Sequence, residues 1–126
     1  MRILSATLIA AIAALHFYIA WFEIFAWTTY GPKVFDVFPT ELFAQTTQLA
    51  ANQGLYNAFL AVGLTWSLCI SDPIWRRRIA ACFLLFVLAA GLFAAATVAL
   101  RPGLFQIVPA SAALLLVFLG SKPRER

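Results

Sequence analysis

The chain has a single histidine, His16, and seven residues later an acid, Glu23, both inside a long apolar run. Seven residues is about two helical turns, so the two side chains share one helix face. An imidazole and a carboxyl held together in a low-dielectric setting can pass protons to and from a bound molecule. Ionisable groups inside a membrane span are costly, and they are kept where they face a partner, a cavity or a pathway. The expected chemistry is therefore acid/base. Glu23 is the expected proton donor or acceptor, and His16 its partner or a second acid/base group.

Neutral polar side chains follow. Gln45, Gln48, Asn52 and Tyr56 recur at three- and four-residue spacing, with Gln53 and Asn57 on an adjacent stripe. Thr97 and Gln106 come later in the chain. Asn52, Gln53, Tyr56, Asn57, Thr97 and Gln106 are the candidate ligand-binding residues, whose amides and hydroxyls would orient polar atoms. Such residues also serve as interhelical glue in membrane helices. Tyr18 and Tyr56 equally suit packing or an interface.

The surroundings are those of a membrane protein. Of 126 residues, 63% are hydrophobic and 11% charged, with a mean hydropathy of +0.90. Soluble domains carry about 25% charged residues, and a soluble core of this length cannot hide so many apolar side chains. The net charge of +4 does not point to nucleic acid, because the basic residues sit at segment ends. Arg2 followed by Ile3 to Leu15 has the flavour of a signal peptide, but the apolar run continues too far, so a retained transmembrane helix is expected.

Several sites are excluded by residue type. Bis-His haem ligation needs a second histidine; a haem here would hang on a single axial ligand. The Glu-x-x-His pattern of di-iron bundles is absent, and zinc would find only His16 and Glu23, so no metal is expected. No phosphate-binding glycine loop or Ser-His-Asp arrangement stands out. Cys69 and Cys82 read as small packing residues rather than a disulfide.

The elements that position these groups are an all-α fold, a transmembrane four-helix bundle in one domain over residues 1–126. Helices are expected at about 3–27, 40–70, 73–100 and 104–120, with an outer loop at 28–40 marked by Gly31-Pro32 and Pro39. Asp72-Pro73 is a helix-start signal, Arg101-Pro102-Gly103 a tight turn, and Pro109 a kink. Small residues at Ala6, Ala10 and Ala14, and at Ala90, Gly91 and Ala94, suit close helix approach. Trp27, Tyr30 and Trp75 suit the aromatic belts of the interfaces.

Positive charge sets the direction. Arg2, the run Arg76, Arg77 and Arg78, and the tail cations Lys122, Arg124 and Arg126 fall on one side of a four-span chain. That side is cytoplasmic by the positive-inside rule, so both termini are expected there, in a multi-pass protein of the cell inner membrane. His16 then lies near mid-depth, with Glu23, Thr97 and Gln106 each about 10 Å further out. Asn57 and Asn52 lie roughly 5 and 12 Å outside the centre. Polar groups from all four helices are thus expected to converge in one outer-half chamber.

The stretches His16-Phe-Tyr-Ile-Ala-Trp-Phe-Glu23, Ala51-Asn52-Gln53-Gly54-Leu55-Tyr56-Asn57-Ala58-Phe59-Leu60, and Gln106 followed by Pro109-Ala110 resemble a bacterial and fungal family of small four-span membrane proteins known as a domain of unknown function. The resemblance covers nearly the whole chain, and Asn-Gln-Gly-x-Tyr-Asn is its specific motif. It implies four helices and marks His16, Glu23, Asn52, Gln53, Tyr56, Asn57 and Gln106 as signature positions, while naming no reaction. The architecture also looks like the DoxX-like four-helix membrane proteins, some linked to quinone chemistry, a likeness of fold alone.

Three functions compete. The leading expectation is a site that binds, or acts by acid/base chemistry on, a small and partly apolar molecule reached from the outer leaflet, such as a quinone or lipid-like compound. The second is proton-coupled transport; small multidrug exporters share four helices and a glutamate in the first, but this chain lacks their motifs and has strong charge bias. The third is a structural or accessory subunit whose polar layer is glue. The expected partners are the lipid bilayer, a small apolar ligand and, in a homo-oligomer, further copies of the chain; whether the protein is an enzyme is left open.

Overall fold

The structure is a computed structural model in which residues 2–120 are described. The tail cations Lys122, Arg124 and Arg126 lie outside the described residues. Among the described residues all regular structure is helical: α1 (Arg2–Phe25), α2 (Trp27–Val34), α3 (Thr40–Gln45), α4 (Thr47–Cys69), α5 (Pro73–Thr97) and α6 (Leu100–Leu119). Ile3–Phe25, Pro73–Thr97 and Leu100–Leu119 are long and apolar enough to cross a membrane. The 23-residue α4 matches them in length, but Gln48, Asn52, Gln53 and Asn57 dilute its first half with amides.

The four long helices pack side by side, α1 chiefly on α4 and α5 chiefly on α6. Contact between α4 and α5 joins the two pairs, and α1 meets α6 more sparsely. The apolar core gathers at one end. Ile9, Ile12 and Ala13 of α1 meet Leu64 of α4, Ala80, Leu84 and Val87 of α5, and Ala110, Ala113 and Leu114 of α6. These lie in the first half of α1, the first half and middle of α5, and the second half of α4 and α6, which the up-and-down path brings to the same level.

Close approach is bought at glycines rather than at the alanine stripe of α1. A Cβ on Gly103 would lie 2.5 Å from the Ala95 Cβ and 2.7 Å from the Gly91 carbonyl, so α5 and α6 touch backbone to backbone there. Ala10 and Ala14 are exposed, whereas Ile9, Ile12, Ala13 and Ala20 are buried. The face of α1 that packs is thus set by its larger apolar residues.

Four boundaries differ from the sequence expectation. The first helix stops at Phe25, and the segment expected as a loop holds α2, with Pro32 inside it. Burial explains this: Gly31 lies directly beneath the Phe43 ring, which is 1% exposed, and Trp27 packs edge-on against Phe22 and tilted against Phe35 and Phe43. The expected 40–70 helix breaks at Thr46, where α3 ends and α4 begins. Thr46 holds that corner by donating its hydroxyl to the Leu42 carbonyl at 2.7 Å and accepting from Trp27 Nε1 at 3.0 Å. Arg101-Pro102-Gly103 is not a turn but the opening of α6, because proline costs nothing in a first turn whose N–H groups have no helical partner. Asp72 caps α5 through bonds from the Ile74 and Trp75 N–H groups at 2.9 and 2.7 Å.

Candidate functional site

The site begins where α1 and α4 come closest. Gly54 is buried, and a Cβ there would lie 2.8 Å from the Ile24 side chain, 3.0 Å from the Ala20 carbonyl and 3.1 Å from the Glu23 Cβ. A bare backbone at this point lets α4 lie against the Ala20–Ile24 turn. Three residues on, Asn57 is then aimed at the Glu23 carboxyl. Its Nδ2 donates to Glu23 Oε2 at 2.8 Å and to the Gln53 carbonyl of its own helix at 3.3 Å. Asn57 is buried and Glu23 is half-buried.

His16 lies two turns below Glu23 on the same face and is completely buried. Its Nδ1 is 2.9 Å from the Ile12 carbonyl. A carbonyl only accepts, so Nδ1 carries the proton, and Nε2 of the neutral ring is left as an acceptor. Nε2 is buried and has no hydrogen-bond partner. The Gln106 side chain from α6 comes beside the ring without completing a bond to Nε2. Gln106 is itself seated against Gly91, where a Cβ would be 2.9 Å from the Gln106 Cβ. His16 and Glu23 do not touch each other. The helical rise separates them by roughly 10 Å along α1.

The structure thus makes two separate pairs, Glu23 with Asn57 between α1 and α4, and His16 beside Gln106 between α1 and α6. It does not bring the other candidates to them. Asn52, Gln53 and Tyr56 are exposed on the outside of α4, although the Gln53 backbone carbonyl holds Asn57. Thr97 is exposed at the end of α5 and returns its hydroxyl to the Phe93 carbonyl at 2.7 Å. Cys69 and Cys82 are free and exposed. Among the described residues, no group of three or more His, Cys, Asp and Glu side chains is arranged to hold a metal ion.

Two features escaped the sequence reading. Gly54 stood inside the Asn-Gln-Gly motif, and a glycine between polar residues in a helix was the available signal of close approach. The other is a groove of about 720 Å³ between α1 and α6, walled by Leu8, Ile12 and Leu15 on one side and by Arg101, Phe105 and Pro109 on the other. Its lining is apolar apart from Arg101. Nothing in the sequence marked it, because it exists only where two apolar helices fail to close on each other.

A family model described as Protein of unknown function (DUF1304) matches residues 10–118, and the chain belongs to that family. No curated protein and no solved structure matches the chain.

Proposed function

We propose that this family member is a multi-pass protein of the cell inner membrane whose His16, Glu23, Asn57 and Gln106 bind a small, partly apolar molecule and act on it by acid/base chemistry. In this reading α4 spans the bilayer beside α1, α5 and α6, both termini are cytoplasmic, and the polar layer lies in the outer half. The Lys/Arg bias supports the orientation. The packing of α4 along the full face of α1, itself apolar enough to span, supports the fourth crossing.

The observation that carries the proposal is the unpartnered Nε2 of His16. A buried acceptor without a donor costs about 1–3 kcal/mol, and a molecule supplying the donor recovers it. With Nδ1 committed to the Ile12 carbonyl, Nε2 asks for a hydroxyl or N–H. A quinol or a sterol-like alcohol meets that need, and the apolar helices around it suit the rest of such a molecule. Glu23 accepts or returns the proton, Asn57 holds its carboxyl, and Gln106 orients a second polar atom.

The test is mass spectrometry of small molecules that co-purify in mild detergent. Wild type retains a hydroxylated apolar compound, and His16→Phe loses it. Retention and turnover both unchanged in Glu23→Gln would remove Glu23 from the chemistry.

The Glu23–Asn57 hydrogen bond favours a second reading, an accessory subunit in which the polar layer is glue. That reading requires every buried polar atom to be satisfied by protein, which for His16 Nε2 means that the neighbouring Gln106 amide closes on it. The two separate on Glu23→Gln, which keeps an acceptor for Asn57. Glue survives that change, and proton transfer does not.

A further inference from the structure

The groove between α1 and α6 is a different feature from the polar layer, since His16, Glu23, Asn57 and Gln106 are not among the residues that line it. Both walls belong to helices long and apolar enough to cross a membrane, so the groove opens toward lipid. Along α6 it runs from Leu100 to Pro109, a length of about 13 Å by the helical rise. The hydrocarbon of one leaflet is about 15 Å deep, half of a core of about 30 Å. The groove therefore has the length of a single leaflet.

Its chemistry changes along that length as a lipid's does. The deep part is Leu8, Ile12, Phe105 and Pro109, and the one ionic group is Arg101, at the shallow end and exposed. Arg101 sits in the first turn of α6, which has no acidic residue and whose N-cap Ala99 offers no side-chain hydrogen bond. The positive end of the helix dipole thus adds to the guanidinium instead of being neutralised. A planar guanidinium with parallel donors is suited to a phosphate.

We infer that the groove seats one anionic phospholipid, with an acyl chain along α1 and α6 and its phosphate at Arg101. The lipid belongs to the leaflet in which α6 begins. Net-anionic headgroups are preferred because they bring no cation of their own to the side of Arg101. This site does not depend on acid/base chemistry at Glu23.

Native mass spectrometry of the full chain tests the site, with phosphatidylglycerol and phosphatidylcholine of identical acyl chains as probes. Wild type is expected to hold phosphatidylglycerol at least about fivefold more tightly, a free-energy difference of about 1 kcal/mol. Arg101→Lys keeps most of that preference. Arg101→Gln abolishes it and leaves phosphatidylcholine binding as it was. Ala11→Trp, which fills the groove wall, weakens both lipids. Equal binding of the two lipids by wild type overturns the inference. So does a preference that survives in Arg101→Gln, which would assign it to Arg76, Arg77 and Arg78. Displacement of the lipid by soluble glycerol phosphate would show that the groove contributes nothing and would overturn it as well.

Discussion

The Asn57 amide of α4 donates to the Glu23 carboxyl of α1 at 2.8 Å, across the interface that Gly54 narrows. One residue thus supplies the partner and another supplies the proximity. An average interhelical hydrogen bond in a membrane protein contributes about 0.6 kcal/mol. Leaving a buried acceptor without its donor costs about 1–3 kcal/mol. Glu23 is only half-buried, so Asn57→Leu should lower unfolding stability in detergent by about 1 kcal/mol, the lower end of that range. A loss no greater than the average bond would mean that Glu23 finds another donor.

Gly54→Val should separate α1 from α4. Even the first added carbon meets Ile24 at 2.8 Å and the Ala20 carbonyl at 3.0 Å, and a backbone carbonyl cannot swing aside. Overpacking of this kind costs about 1–3 kcal/mol. Reduced thermal stability, together with loss of any molecule that co-purifies through Glu23, is the expected result. A variant as stable as wild type would show that the helices do not need this approach.

Trp27→Phe keeps the aromatic cluster around α2 but removes the Nε1 bond to Thr46. The expected loss is about 1 kcal/mol, confined to the corner between α3 and α4. Hydrogen exchange should quicken at Thr46 and Thr47 and stay unchanged at Leu84, which is fully buried at the opposite end.

The apolar end should respond more strongly. Leu64 and Leu84 have no exposed surface and share one core cluster. Leu64→Ala or Leu84→Ala should each cost about 2–5 kcal/mol, the range for a buried leucine truncated in a packed core. Exposed Leu49→Ala provides the contrast, with little expected change in detergent unfolding.

The proposed orientation makes Cys69, exposed at the end of α4, a cytoplasmic marker. With Cys82 replaced by alanine, a membrane-impermeant maleimide should label Cys69 in inverted inner-membrane vesicles and not in intact spheroplasts. The reverse pattern would invert the topology. Labelling in both would mean a mixed orientation.

Much of the helical plan is visible in residue order. The apolar runs and the Asp72-Pro73 start reflect local rules that the structure keeps. The local rules misled where distant residues competed with them. Gly31-Pro32 reads as a loop until Phe43 arrives from α3 to cover the glycine. Arg101-Pro102-Gly103 reads as a turn until Gly103 is needed inside α6 to meet Gly91 and Ala95.

The polar residues divide on the same principle. Sequence by itself determined that His16 and Glu23 share a helix face, because a repeat of 3.6 residues fixes that within one helix. It also determined which amides occupy the first half of α4. Only the tertiary structure decided that Asn57 turns to Glu23 while Asn52, Gln53 and Tyr56 face outward. Only it left His16 Nε2 without a donor and opened a groove beside Arg101. The rotation of one helix against another depends on which side chains, or which missing Cβ atoms, meet across the interface. Those pairs lie tens of residues apart in the chain, so no local pattern encodes them.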